Sequence, residues 1–314
     1  MLLNIFWILL GFALLIKGGD YLVEGATSIA KRAKLSPMVI GLTIVGFGTS
    51  APELLVSIQA ALAGSPGIAI GNVVGSNIAN IALILGSAAI IKECASSKQT
   101  LTIDMSFMFL SAGLFVLIAM SGTVGRVPGI LGFLMLCVFI YWQIRHSRKN
   151  AESQPKEEED EKKPWPLWVA LLVVVVSFAA LVIGADRLIA GATYIAQQSG
   201  LSERIIGLTI VAVGTSLPEL FASIAAARKG ETDMAIGNVV GSVTFNILSV
   251  IGLSAAICPI KDSNVGFFSD YVWMIGLCGL LWFFLFTKRS LERWEGIILV
   301  LLYVVYLILT VVNA

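Results

Sequence analysis

Apolar positions in this chain gather into long unbroken runs. Leu2–Ile16, Met105–Met120, Trp168–Ile183 and Gly296–Val312 carry no charged residue. A helix of roughly 20 residues crosses a hydrocarbon core of about 30 Å. A membrane barrel would instead alternate polar and apolar positions in segments of about 10 residues, a pattern these runs lack. The pattern predicts helical spans near residues 2–30, 38–63, 68–91, 104–120 and 127–145, then near 165–190, 205–227, 234–258, 270–287 and 293–312. Charged residues or turn formers fill each gap. The expected fold is an all-α polytopic membrane protein of ten transmembrane helices.

Composition agrees with that pattern. Of 314 residues, 57% are hydrophobic and 13% charged, against about 25% charged in a soluble domain. The balance of 21 basic and 20 acidic residues offers no basic surface for nucleic acid. Cys94, Cys137, Cys258 and Cys278 lie far apart with no CxxC spacing, so they are read as free, mostly buried thiols. The start, MLLNIFWILLGFALLIKGGD, lacks a basic n-region and a small-residue cleavage signal, and is expected to be a retained first helix.

One stretch occurs twice. GLTIVGFGTSAPELLVSI at 41–58 and GLTIVAVGTSLPELFASI at 207–224 agree at 13 of 18 positions at a constant offset of 166. The duplication begins earlier, since Gly18/Gly184, Asp20/Asp186, Gly25/Gly191 and Thr27/Thr193 keep the same offset. This divides the chain into a first repeat at 1–145, a charged linker at 146–164 and a second repeat at 165–314. Each repeat holds five spans. An odd number makes the second repeat thread the membrane in the opposite sense, so the two are inverted about a pseudo-two-fold axis in the membrane plane. Sixteen basic residues follow odd-numbered spans and three (Arg126, Arg204 and Lys261) follow even-numbered ones. By the positive-inside rule the linker is cytoplasmic and both termini are outside.

The repeated stretch carries the candidate chemistry. Thr49, Ser50 and Glu53 lie three and four residues apart, so both hydroxyls share the carboxylate's helix face. Pro52 removes a backbone donor and breaks the helix, freeing main-chain oxygens, which membrane depth tolerates only around a protein-lined or wet cavity. Thr215, Ser216, Pro218 and Glu219 repeat the arrangement. Carboxylate, hydroxyl and carbonyl oxygens ligate hard cations such as Ca²⁺, and Na⁺ accepts the same kind. Ionisable residues inside spans usually mark ion pathways. The next helix of each repeat adds GNVVGSNIAN at 71–80 and GNVVGSVTFN at 237–246, with Asn72, Ser76 and Asn80 on one stripe matched by Asn238, Ser242 and Asn246. The glycines at 71, 75, 237 and 241 suit close helix packing. Asn72 and Asn238 are equally open to a capping or packing role and to ligation.

GTSxPE followed by GNxxGS, present twice, resembles the cation/Ca²⁺ exchangers, and among them the prokaryotic-type Na⁺/Ca²⁺ exchangers with two inverted α-repeats. The motifs cover residues 18–86 and 184–252, and the five-plus-five plan covers the whole chain. The resemblance implies Ca²⁺ and Na⁺ as transported ions, with no cofactor, no enzymatic activity and no obligate protein partner besides the bilayer. It implies ligation by Glu53 and Glu219 at the centre, with Thr49, Ser50, Ser76 and Asn80 from the first repeat. Thr215, Ser216, Ser242 and position 246 serve from the second, and the carbonyls of Gly46 and Ala212 complete the set. Well-described Na⁺/Ca²⁺ exchangers have aspartate where this chain has Asn246. Two glutamates balance one Ca²⁺, three Na⁺ would leave a positive charge, and two protons would neutralise the pair. An H⁺/Ca²⁺ antiporter on the same scaffold is therefore the alternative, although that branch typically has Gly-Asn-x-x-Glu around its glutamate. A passive channel fits less well, because enclosed carboxylates suit occlusion better than conduction.

Other polar residues have simpler expectations. Asp20, Glu24 and Asp186 lie near span ends, solvated or paired with Lys17 or Arg187. His146 is expected in solvent, and Glu157–Glu161 lacks the spacing of a calcium loop.

Overall fold

A computed structural model describes residues 2–153, 163–198, 212–261, 263 and 266–313. In the first half, α1 (Leu2–Ala33) is followed by a broken span of α2 (Pro37–Thr49) and α3 (Ala51–Leu62), bent by 46°. Then come α4 (Gly67–Ile91), α5 (Thr100–Met120) and α6 (Arg126–Ser153). The second half has α7 (Leu167–Gln198) and a second broken span, whose described part is α8 (Ala212–Thr215) and α9 (Leu217–Lys229). It ends with α10 (Thr232–Ile257), α11 (Phe268–Lys288) and α12 (Arg293–Asn313). The start of the expected 205–227 span lies outside the described residues. Among the described residues eight helices and the bent pair are long and apolar enough to cross a membrane, and with the second broken span they make the expected all-α architecture of ten spans in two inverted five-helix repeats.

Four two-residue strands tie the loops and report their sides. β1 (Cys94–Ala95), after the third span, pairs antiparallel with β4 (Ser290–Leu291), after the ninth. β2 (Thr123–Val124), after the fourth span, pairs with β3 (Ile260–Lys261), after the eighth. The loops after the third and ninth spans thus meet each other, as do those after the fourth and eighth. The offset of 166 carries β1 onto β3, so each pairing is the image of the other under inversion.

Burial separates centre from periphery. In α4 and α10, 72% and 83% of the apolar window is buried, against 22% to 39% in the other unbroken spans, so these two helices form the core. Small residues allow backbone contact there. A Cβ at Gly41 would lie 2.4 Å from the Met234 carbonyl oxygen, and one at Gly237 2.4 Å from that of Met38. α2 therefore rests directly on α10, as close packing of spans without a hydrophobic driving force requires. On the periphery α1 runs antiparallel to α7, with backbones meeting at Gly11 and Gly184.

Some expectations change at the periphery. α6 continues through the first charged residues to Ser153, a run without proline or glycine to stop it. His146 is half-buried, its ring stacked on Trp142 at 5.0 Å between centroids. Asp186 pairs with Arg187 at 3.8 Å as expected. Glu24 pairs with Lys229 at 2.5 Å instead of Lys17 or Arg187, because the end of α9 comes alongside α1. The acid run 157–161 lies outside the described residues. All four cysteines are free, Cys94 and Cys278 buried, Cys258 half-buried and Cys137 exposed. Burial, helped by Asp233 and Glu93, pushes the Cys94 thiol up to about 12.

Candidate ion-binding site

Each broken span is built by its proline. Pro52 and Pro218 occupy the first turns of α3 and α9, where a missing N–H costs nothing. The residue at each break leaves helical geometry, Ser50 at φ −86° and ψ 5° and Ser216 at φ −89° and ψ 6°. Glu53 and Glu219 then fall in the first turn of the new half-helix. There the positive helix end favours a carboxylate, while the carbonyl end of the preceding half-helix favours a cation.

An asparagine of the next helix holds each break. Asn72 Nδ2 donates to the Glu53 carbonyl (3.2 Å) and to Ser57 Oγ (2.9 Å). Asn238 Nδ2 donates to the Glu219 carbonyl (3.3 Å) and to Ser223 Oγ (2.8 Å). Of the two roles left open for these amides, their donor ends perform the structural one. Ser57 and Ser223, the last serines of each repeated stretch, are not among the expected site residues; only their recurrence in sequence marks them.

The two repeats meet at the carboxylates. Ser50 Oγ donates to Glu219 Oε1 at 3.1 Å, and Thr49 Oγ1 lies 3.4 Å from Asn238 Oδ1. Glu53 and Glu219 are 0% and 1% exposed. Among the described residues, neither oxygen of Glu53 has a hydrogen-bond partner, nor do Glu219 Oε2, Ser216 Oγ, Ser242 Oγ, Asn246 Oδ1 or either amide atom of Asn80. Buried polar atoms are ordinarily paired. Seven buried oxygens from six expected site residues, two of them carboxylates, fit a hard oxygen-seeking cation as substrate.

The other candidates differ. Thr49 is already engaged, donating to the Val45 carbonyl at 3.0 Å. The Gly46 carbonyl accepts the Ser50 N–H at 3.1 Å and lies 3.4 Å from the Thr49 hydroxyl. In the second repeat, Ser216 N–H instead donates to Val213, at 3.2 Å, leaving Ala212 at the start of α8. Ser76 and Thr215 line a cavity of about 560 Å³ together with Asn72, Asp270 and Tyr306. Asp270 accepts from the Tyr306 hydroxyl at 2.9 Å. Asp270 and its repeat mate Asp104, which accepts from Gln143, escape a reading of the sequence because each sits beside a span end.

Of the four π-helical turns among the described residues, which escape it as well, two occupy matching positions in the two repeats. They begin at Asn80 and at Asn246, covering Asn80–Leu85 and Asn246–Ile251. π turns inside helices are frequent at functional sites.

Comparison with known proteins places this geometry. A family model described as "Sodium/calcium exchanger protein" matches residues 3–145 and 169–312. The chain is similar to the sodium/calcium exchanger MaX1 of Methanosarcina acetivorans, 34% identical over 341 residues, covering 97% of each protein. It is also similar to the inner membrane protein YrbG of Escherichia coli, 33% identical, covering 95% of this chain and 93% of that one. A structure of the sodium-calcium exchanger NCX_Mj, soaked with 10 mM Na⁺ and zero Ca²⁺, superposes with a TM-score of 0.83 at 31% identity and 97% coverage of both chains. Twin broken helices, paired glutamates and whole-length similarity agree, and the chain belongs to the sodium/calcium exchanger family.

Proposed function

We propose that the protein extrudes Ca²⁺ from the cytoplasm in exchange for Na⁺, by alternating access to one site built on Glu53 and Glu219. The observation that carries this reading is the burial of both carboxylates, linked across the repeats by the Ser50–Glu219 hydrogen bond, in a pair of repeats whose site hydroxyl and amide oxygens are buried without partners among the described residues. Two carboxylates supply a charge of −2, matched to one Ca²⁺. Ser50, Ser216, Ser242, Asn80 and Asn246 supply neutral oxygens. Ser76 and Thr215 stand where the side cavity reaches the site, and Thr49, Gly46 and Ala212 frame the helix breaks. The peripheral pair α1 and α7, joined at Gly11 and Gly184, is the element that slides across the α4/α10 core. The similarity to MaX1 and NCX_Mj, both described as sodium/calcium exchangers, supports Na⁺ as the counter-ion.

Asn246 favours one competing reading. Without a third carboxylate, protons neutralise the site more evenly than three Na⁺ do. Proteoliposomes loaded with Na⁺ are expected to take up radiolabelled Ca²⁺ when diluted into Na⁺-free medium, and a proton gradient alone is expected to drive none. Uptake driven by the proton gradient would make the protein an H⁺/Ca²⁺ antiporter, and uptake needing neither gradient would make it a channel.

The repeats span 1–145 and 165–314, and the intervening linker is cytoplasmic with both termini outside. Basic residues on the odd-span loops and the pairing of β1 with β4 support this. Trypsin is expected to cut the linker in inverted membrane vesicles and to spare it in right-side-out spheroplasts. Cleavage in intact spheroplasts would reverse the orientation.

A further inference from the structure

One buried contact crosses the repeats outside the signature residues. Asn246 Nδ2 donates to Asn77 Oδ1 at 3.1 Å, and Asn77 Nδ2 donates to Met274 Sδ at 3.6 Å. Asn77, Asn246 and Met274 are each 0% exposed. The repeat is broken here, because the position matching Asn77 is Val243.

The chemistry of the three side chains fixes the order of the chain. A thioether sulfur accepts and never donates. Asn77 must turn its NH₂ toward Met274, which leaves its oxygen toward Asn246. That oxygen selects the NH₂ of Asn246, and the amide is held with Oδ1 as its remaining atom. Asn246 Oδ1 is buried with no partner among the described residues. Asn246 lies one turn beyond Ser242, on the same helix face. Asn80, the repeat mate of Asn246, has neither amide atom paired among the described residues.

We infer that Asn77 is a positioning residue for cation binding, locking Asn246 so that it presents an oxygen, and not an NH₂, to the transported cation. The inference rests on the ion-site reading above. A freely turning amide would present its donor half of the time, and a donor repels a cation. The lock also matches position 246 to an amide. A carboxylate there would face Asn77 with a second acceptor, and Asn77 would have to turn and abandon Met274.

Equilibrium binding of radiolabelled Ca²⁺ to the purified full-length protein tests this, with thermal unfolding as the check on folding. Asn77→Leu is expected to raise the Kd about tenfold, equivalent to about 1.4 kcal/mol and within the coupling range of contacting residues. In an Asn246→Ala background the same substitution is expected to change the Kd less than about twofold, since no amide remains to be oriented. An unchanged Kd for Asn77→Leu, or an equal rise in both backgrounds, overturns the inference and leaves Asn77 a packing residue. If Asn77→Leu does not fold, Met274→Leu decides instead, a volume-conserving change that cores tolerate, judged by the same dependence on Asn246. Glu53→Gln serves as the separate control. Ca²⁺ binding that survives it overturns the ion-site reading itself, whereas its loss beside a neutral Asn77→Leu overturns this inference alone.

Discussion

Glu53→Gln is expected to reduce Ca²⁺ exchange in proteoliposomes to background while leaving a folded protein. Glu53 is fully buried, and neither carboxylate oxygen bonds to another described residue. Its charge has no use in the protein except toward a ligand. Removing one partner from a buried charge pair costs about 3–5 kcal/mol, which lowers ion affinity by roughly 100-fold to 4,000-fold. A neutral amide is easier to bury than a carboxylate, so the variant's intrinsic melting temperature should equal or exceed that of wild type. What disappears is stabilisation by added Ca²⁺, because a ligand stabilises only the state that binds it. Glu219→Gln should behave alike, with the added loss of a charged acceptor for Ser50. A Glu53→Gln protein that still exchanges Ca²⁺, or still gains stability from it, would sink the site assignment.

Gly237→Val is expected to prevent recovery of folded protein, or to lower its stability by about 3 kcal/mol or more, the upper end for an overpacked core. Its first added carbon would lie 2.4 Å from the Met38 carbonyl oxygen and 3.1 Å from the Leu42 nitrogen, and both are backbone atoms that cannot swing aside. The displacement would propagate to Asn238, the next residue, and through it to the Glu219 carbonyl. Gly276→Ala on α11 is the contrast. Among the described residues nothing lies within 4 Å of a Cβ there, and alanine is the better helix former by about 1 kcal/mol. Detergent-stable yield and thermal unfolding of the two variants measure the difference. Equal yields would mean that α2 and α10 do not pack as described.

Much of this is legible in the sequence because it is written locally. Apolar runs show the spans, Pro52 and Pro218 show the breaks, the offset of 166 shows the duplication, and the odd number of spans in each repeat shows the inversion. The contacts that assemble the site are not local. Ser50 to Glu219 and Asn246 to Asn77 each join residues 169 apart, three more than the repeat offset, so aligning the repeats does not pair them. Helical periodicity reports which residues share a face and says nothing of what that face meets. The partner of Glu24 escapes for the same reason, because Lys17 is near in sequence and Lys229 near in space. The π turns are invisible for another, since NIALIL and NILSVI have the composition of any buried helix.

Those two turns also date events in the history of the chain. An α-helix gains a π turn when one extra residue is accommodated within it, and both halves carry theirs at the same register, beginning at Asn80 and at Asn246. Two independent insertions at matched positions are a longer history than one, so the ancestral half already had the turn when it was duplicated and fused. The mismatch of Asn77 with Val243 is a younger mark, made after the halves could diverge. The oxygen cluster is then the older inheritance, and the lock on Asn246 is carried by one half alone.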